Sequence, residues 1–231
     1  MIDLEGVSHR YATAAKPALE ELRLHVESGE IVGVLGLNGS GKTTLLRLVS
    51  GLMRPSGGTV RVDGSDQRQA IRRAVALAPD QGAVYPFLTV AEAGAFFEKA
   101  LPAWDRVRWA ELVDLLQLPP EQTPQAMSKG QRARLRLAQA LAQRSPVLLL
   151  DEPLAGIDLR SRDRIVESLA EDLARRPRTV LVATHEIMEI ESLFDRVVLL
   201  EQGRVAVDVA ADELRASTDG SIESYVRKGA W

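Results

Sequence analysis

Short apolar runs recur along the chain and predict the strands of a sheet. Five continuous runs are typical of strands buried on both faces of a parallel sheet, and they lie at residues 31–35, 75–78, 147–150, 180–183 and 197–200. Two earlier segments, 2–7 and 22–26, alternate apolar and polar residues, as strands with one buried face do. The pattern predicts an α/β fold with a mainly parallel sheet and an amino-terminal antiparallel β subdomain.

Helical periodicity replaces this pattern between residues 86 and 143, where no good strand is present. Proline-rich turns at 118–121 and 145–146 bound this segment. We therefore expect one domain, in which residues 1–85 and 144–231 form a catalytic core and 86–143 form an inserted α-helical subdomain. A strand at 205–209 and a short helix at 212–216 are expected near the end.

The most distinctive stretch, GLNGSGKT at residues 36–43, follows the first buried run and matches the phosphate-loop pattern GxxxxGK[ST]. Its glycines allow successive N–H groups to point at phosphate oxygens, and a helix predicted from residue 44 directs its positive end at the same anion. Lys42 is expected to reach the β- and γ-phosphates and Thr43 to bind magnesium. The candidate site residues are Gly36, Asn38, Gly39, Ser40, Gly41, Lys42, Thr43 and Thr44.

Two carboxylates, Asp151 and Glu152, follow the buried run at 147–150. We expect Asp151 to hold magnesium through water and Glu152 to act as general base on the attacking water, because phosphoryl transfer requires mainly positioning and charge compensation. A strand ending in a solvated acidic turn is the structural alternative. The phosphate loop upstream favours the catalytic interpretation.

The helical segment ends in a third motif, Ser128-Lys129-Gly130-Gln131. Ser128 is a good N-cap for the helix that follows, so a second helix amino terminus is available for an anion. Such a cap alone is usually structural. Its place shortly before the Asp151–Glu152 strand makes it a candidate nucleotide contact.

Composition narrows the classes of protein that fit these motifs. The 231 residues are 45% hydrophobic and 26% charged, with a net charge of −3, which is typical of a globular protein and unlike a general nucleic-acid binder. There is no cysteine, so disulfide scaffolds, zinc fingers and thiol chemistry are excluded. The apolar runs are far shorter than the roughly 20 residues that span a bilayer. Work at a membrane is therefore expected to require a partner.

Together, the motifs resemble the ATP-binding subunits of ABC transporters over nearly the whole chain, from Tyr11 to about Arg204. The resemblance implies a P-loop NTPase core with ATP and Mg²⁺ as cofactors. It also implies that Ser128, Gly130 and Gln131 contact the γ-phosphate held by a second subunit, so that a homo- or heterodimer encloses two ATP. A separate transmembrane permease would hold the dimer at the cytoplasmic face of the cell membrane.

The same resemblance assigns three residues outside these motifs. Tyr11 stands where the family has an aromatic residue that stacks on adenine, although mere packing is an equal alternative. Asp158 would communicate between the two sites. His185 resembles the histidine that contacts the γ-phosphate and holds water against Glu152, whereas a histidine at a strand end is otherwise more often structural.

Two positions depart from the family pattern. Asp80 falls where the family has a glutamine that touches magnesium and relays movement to the permease; an aspartate can also bind the metal, but it is shorter and charged. Lys129 replaces a glycine of the family's signature motif, which is Ser128 to Gln131 here, and adds a cation beside the helix terminus. With Glu152 and His185 retained, we expect an active ATPase.

Six of the ten aromatic residues fall between positions 85 and 109. They are expected either to form the core of the helical subdomain or to line a groove for a helix of the permease. The sequence of residues 96–105 and the SKGQ form of the signature resemble those of the bacterial branch that exports drugs, antimicrobial peptides or lipids. A nucleic-acid- or ribosome-associated ABC-type ATPase is the alternative function. A phosphate-loop kinase or GTPase does not explain the signature.

Overall fold

Two sheets form the framework of the computed structural model, which describes residues 1–82, 85–101 and 103–217 together with positions 222 and 226. The larger sheet has the order β5-β6-β7-β3-β8-β9, and all its neighbouring strands are parallel except β8 and β9. Its strands are β3 (Ile31–Leu35), β5 (Val75–Ala78), β6 (Val147–Asp151), β7 (Thr179–Ala183), β8 (Arg196–Glu201) and β9 (Arg204–Ala210). The mainly parallel sheet predicted from the apolar runs is confirmed.

The second sheet is antiparallel, with the order β2-β1-β4. Its strands are β1 (Ile2–His9), β2 (Leu19–Val26) and β4 (Gly57–Val62). Strand β2 begins at Leu19, three residues before the predicted start, and β4 was not predicted. The buried face of this sheet packs with one face of the larger sheet in a common apolar core.

Helices cover both faces of the larger sheet, as βαβ connections require. They are α1 (Lys42–Val49), α2 (Arg68–Ala74), α3 (Val90–Ala100), α4 (Arg106–Leu115), α5 (Lys129–Leu141), α6 (Leu159–Arg175) and α7 (Ala211–Ser217). Helices α3 to α5 lie within residues 86–143, and the described residues of that segment form no named strand. No helix of the described chain is long and apolar enough to cross a membrane.

Ion pairs formed by two buried carboxylates, Asp105 and Asp172, join the helical segment to the core. Asp105 caps α4 and binds Arg144 and Arg176, at 3.1 and 2.8 Å respectively. Asp172 of α6 binds Arg178, and Arg108 of α4 lies 3.0 Å away from it. The Asp172–Arg178 pair is buried on both sides, so removing one member would leave the other charge uncompensated, which is costly. These pairs therefore fix α4 against the carboxyl end of α6.

Candidate functional site

The phosphate loop connects β3 to α1 and depends on glycine at two close approaches. Gly36 has φ +144°, and a Cβ there would collide with the carbonyl oxygen of Leu200. Gly41 has φ +111° and caps α1; a Cβ there would lie 2.6 Å from the carbonyl oxygen of Ala18. A non-glycine residue would be both strained and obstructed at either position. The loop can therefore present its backbone N–H groups and the amino terminus of α1 to an anion.

Lys42 begins α1 and is buried, with its ammonium group turned back into the loop. Its Nζ donates to the carbonyl oxygens of Gly36 and Leu37, at 2.7 and 3.1 Å. Burial lowers the pKa of Lys42, and the negative charges of Glu152 and Asp151 partly offset this effect. A phosphate beside the ammonium would provide the counter-charge that a buried cation favours.

Asp151 ends β6 inside the protein, next to the phosphate loop. The hydroxyl of Thr43 donates to its Oδ1 at 3.2 Å. Burial raises the pKa of Asp151, and the hydrogen bond from Thr43 opposes the rise. A carboxylate and a hydroxyl side by side are oxygen ligands of the kind that Mg²⁺ prefers. The cation would supply the positive counter-charge that favours the ionised form of this buried carboxylate. The residues present fit a magnesium ion.

Glu152 follows in the left-handed conformation, with φ +51°. Its N–H donates to the carbonyl oxygen of Ala183 at 2.8 Å, which ties the turn to the end of β7. Its carboxylate accepts from the hydroxyl of Thr184 at 3.1 Å and from the N–H of His185 at 3.3 Å. The ring Nδ1 of His185 lies 2.8 Å from Glu152 Oε1. An ionised carboxylate only accepts, so Nδ1 of His185 carries the proton in this hydrogen bond.

Lys42, Thr43 and Glu152 line one cavity of about 350 Å³. It is lined by Tyr11, Ala18, Asn38, Gly39, Gly41, Lys42, Thr43, Thr44, Asp80 and Glu152. The hydroxyl of Tyr11 lies 3.2 Å from Thr44 Oγ1, so the partly exposed ring is held at this cavity. The lining does not include Asp158 or the signature residues Ser128 to Gln131. It also does not include four other predicted site residues, Gly36, Ser40, Asp151 and His185.

The signature residues instead start α5 and pack against the loop that follows Glu152. Ser128 accepts from the N–H of Gln131 at 3.2 Å, and Gln131 accepts from the N–H of Ser128 at 2.9 Å, which is a capping box. A Cβ on Gly130 would lie 2.7 Å from the carbonyl oxygen of Gly156. Gly130 is therefore required for this close contact, and the alkyl chain of Lys129 covers Gly156 beside it.

Asp158 caps the next helix. Its carboxylate accepts from the N–H of Ser161 at 3.1 Å. Hydrogen bonds from the side chain and then the backbone of Ser161 hold the pKa of Asp158 below its usual value. The residue is exposed on the surface of the subunit. An exposed loop position is accessible to a second subunit.

A groove of about 510 Å³ separates the helical segment from the core. Asp80 lines both this groove and the phosphate cavity. Three cations also line it: Lys129, Arg132 and Arg136. Arg136 is only 8% exposed, yet it makes no hydrogen bond or ion pair within the part of the chain that the structure describes. Burial lowers its pKa, and the charge of Asp80 partly offsets this effect.

The six clustered aromatic rings form one continuous chain of contacts, with centroids 5.0 to 5.8 Å apart. They are Tyr85, Phe87, Phe96, Phe97, Trp104 and Trp109. Phe97 and Trp109 are buried, whereas Tyr85, Phe87 and Phe96 are exposed. The two sequence-based interpretations therefore divide the cluster: its inner rings form core, and its outer rings remain available to a partner.

Sequence reasoning missed three polar residues around the site. Thr184 bonds Glu152, Arg136 lies in the groove, and Arg162 binds two glutamates beyond His185. A threonine before the histidine was visible in the sequence, but no motif indicated its bond to Glu152. Nothing in the sequence indicated the glutamate partners of Arg162. The charge of Arg136 indicated a solvated helix face, and its burial shows that this interpretation was wrong.

Comparison with known proteins identifies the class. The family model described as ABC transporter matches residues 19–155, more than half of the chain. The chain therefore belongs to the ABC transporter family as an ATP-binding subunit; it is an ATPase, with ATP and Mg²⁺ as cofactors. A second model, described as an AAA domain and putative AbiEii toxin, matches the shorter stretch 120–191.

Among curated relatives, the chain is 36% identical over 218 residues to the probable sulfate/thiosulfate import ATP-binding protein CysA of Chlorella vulgaris, covering 91% of this chain and 92% of that one. It is 40% identical over 213 residues to the Fe(3+) ions import ATP-binding protein FbpC of Streptomyces coelicolor, covering 89% of this chain but 61% of the relative. The exporter branch expected from the sequence is not supported, because these relatives are named as import proteins.

Solved structures agree with the fold. An ATP-binding subunit of an ABC transporter superposes with a TM-score of 0.84 at 26% identity, covering 98% of this chain and 97% of that one. A dimeric ATP-binding cassette in a post-hydrolysis state, bound to ADP and Pi, superposes with a TM-score of 0.82 at 26% identity, covering 91% of this chain and 99% of that one. The α/β P-loop NTPase fold is confirmed.

Proposed function

We propose that two copies of this subunit, or this chain and a related one, enclose two ATP molecules and that hydrolysis drives a separate transmembrane permease. The observation that carries the catalytic part is the fixed carboxylate of Glu152. Three hydrogen bonds from Thr184 and His185 hold it at the wall of the cavity that also contains Lys42. A preorganised acceptor of this kind suits general-base catalysis.

The residues of the phosphate site have distinct roles in ATP hydrolysis. The loop N–H groups, the positive end of α1 and Lys42 bind and orient the phosphates and compensate charge at the reacting group. Glu152 takes a proton from the attacking water, and the pairing with His185 keeps its carboxylate in position. Thr43, Asp151 and Asp80 would hold Mg²⁺, which neutralises phosphate charge when bound.

The position of the signature supports the proposed dimer. Ser128, Gly130 and Gln131 are outside the phosphate cavity of their own chain, although the resemblance gives them a γ-phosphate contact. A second subunit can provide that contact, with Asp158 exposed near the same surface. The dimeric, ADP-bound structural relative supports this arrangement.

Tyr11 provides a test of the nucleotide-binding part. Tyr11→Ala removes the ring at the cavity and is expected to weaken ATP binding by about 1–3 kcal/mol, the usual value of stacking on a base. Tyr11→Phe is the matched control, because it keeps the ring and loses only the hydroxyl, which bonds Thr44 and Met53. Isothermal titration with ATP measures both variants. Equal affinities of Tyr11→Ala and the wild type would remove Tyr11 from the site.

The permease is proposed to dock at the groove between the helical segment and the core. The positive charge of the groove supports this docking site, since three cations line it with one carboxylate, Asp80. The cations are Lys129, Arg132 and Arg136. The exposed rings of Tyr85 and Phe87 are the sequence neighbours of Pro86, which lines the groove, and such rings are frequent anchors of protein interfaces. Asp80 lines both cavities and would transmit the state of the nucleotide to the docked helix.

Phe87 and Val107 form a matched pair for testing the docking site, because they are 68% and 70% exposed. Phe87→Ser is expected to abolish co-purification with the permease, whereas Val107→Ser, on the outer surface of α4, retains it. Recovery of the wild-type chain with nucleic acid or ribosomes, and with no multi-span membrane protein, would favour the alternative ABC-type ATPase.

In this proposal the permease determines the direction of transport and the transported substrate. The named relatives import different cargoes: sulfate or thiosulfate, Fe(3+) ions, and methionine in a Caulobacter vibrioides relative that is 35% identical. What the chain shares with all of them is the ATP-binding part. The proposed location, the membrane face, is reached through the permease.

A further inference from the structure

Arg162 lies in the first turn of α6 and connects two loops beside the site. Its Nε donates to the carbonyl oxygen of Ile157 at 2.9 Å. Its terminal nitrogens donate to Glu189 at 2.6 Å and to Glu186 at 2.8 Å. The side chain is only 13% exposed. Because a guanidinium is planar and rigid, these three bonds hold both loops in one relative position.

The first of these loops follows β7 and carries the groups that hold the catalytic carboxylate. Glu186 is next to His185, and its N–H donates to Thr184 Oγ1 at 3.0 Å. The same hydroxyl donates to Glu152 at 3.1 Å. A displacement of Glu186 therefore reaches Glu152 through one shared side chain.

The second loop, residues 153–158, faces the start of α5. Ile157 is the residue before Asp158, which caps α6. Gly156 lies so close to Gly130 that a Cβ on Gly130 would be 2.7 Å from the carbonyl oxygen of Gly156. A second subunit that contacts Asp158 or the signature would therefore press on this loop.

We propose that Arg162 is a positioning residue that makes the Glu152–His185 arrangement depend on the loop through Asp158. Contact with the second subunit then sets the geometry of hydrolysis, and the two ATP sites act cooperatively. This inference rests on the proposed dimer and on the proposed role of Glu152. Arginine is required because the ammonium of lysine has no planar fork to reach both glutamates and Ile157 together.

Arg162→Ala is expected to lower kcat for ATP about tenfold and to change KM less than about twofold, since misplaced catalytic groups affect the chemical step. The Hill coefficient for ATP should fall to about 1 because the link between the sites is lost. Arg162→Lys should give intermediate values. Steady-state ATPase assays over a range of ATP concentrations measure all three quantities.

Arg196→Ala is the matched control. Arg196 also binds two carboxylates, those of Asp208 and Glu30, but on the β8–β9 side of the sheet. It should lose a similar set of ion pairs and retain the wild-type kcat and Hill coefficient. Thermal unfolding shows which variants are folded. If Arg162→Ala does not fold, Glu189→Gln, which removes one charge of the network, should lower kcat and the Hill coefficient in the same direction.

Wild-type kcat and cooperativity in folded Arg162→Ala or Glu189→Gln would overturn the inference, as would an equal loss of both in Arg196→Ala. Failure of the proposed function has a different result. In that case Glu152→Gln would hydrolyse ATP at the wild-type rate, whatever the Arg162 variants do.

Discussion

Replacing Glu152 by glutamine is expected to lower the rate of ATP hydrolysis by about two to four orders of magnitude, the usual contribution of a general base. The amide cannot take the proton of the attacking water, although it retains hydrogen-bonding capacity toward Thr184 and His185. ATP binding should persist because Lys42 and the loop are unchanged. Phosphate release, measured alone and with the permease, checks the rate, and equilibrium binding of ATP checks the affinity.

Glu30→Gln is the control for this experiment. The side chains of Glu30 and Glu152 are similarly buried, 16% and 14% exposed, and Glu30 pairs with Arg196 away from the cavity. Its hydrolysis rate should equal that of the wild type. An unchanged rate in Glu152→Gln would show that another group accepts the proton and would remove Glu152 from the catalytic role.

Gly36→Ala is expected to have the second-largest effect. Its φ of +144° is unfavourable for alanine, and the new methyl group would meet the carbonyl oxygen of Leu200 and the side chain of Ser40. Strain and overpacking together should lower the free energy of unfolding by about 2–4 kcal/mol. Movement of the loop that relieves the collision should also remove measurable ATP binding.

Gly64→Ala separates the two causes. Gly64 also has a positive φ, +76°, but an added Cβ would meet nothing within 4 Å, and the residue is outside the phosphate cavity. It should cost about 1 kcal/mol of backbone strain and leave ATP affinity unchanged. Chemical denaturation and ATP titration measure both variants. Equal stability and affinity of the two variants would contradict the requirement for close contact at Gly36.

Much of the fold could be predicted because five of the six strands of the larger sheet are continuous apolar runs in the sequence. All five runs became strands of the larger sheet, and their order along the chain fits a parallel arrangement. Strand β4 was missed since it starts with Gly57 and Gly58, residues that are depleted in strands and indicate a turn. The early start of β2 was missed because Leu19 is followed by Glu20 and Glu21, which interrupt the alternation.

The chemistry of the site could be predicted where neighbouring residues in the sequence carry it. The phosphate loop, Asp151 with Glu152, and the Ser128 capping motif are contiguous. The site assignments as a whole stay predictions until nucleotide binding is measured. Arg162 could not be assigned, because its glutamate partners lie 24 and 27 residues away and only the fold brings them together. Arg136 could not be assigned either, since a buried arginine on a helix looks like a surface cation in the sequence.

The central claim is that one chain contains half of each ATP site. Light scattering of Glu152→Gln in saturating Mg²⁺ and ATP tests it most directly, because blocked hydrolysis should retain the enclosed nucleotides. We expect a particle of twice the 25.2 kDa mass of the chain, and its return to 25.2 kDa when ATP is removed. A particle that remains at 25.2 kDa with ATP bound, together with a failure of ATP to bring two subunits together on the permease, would contradict the account.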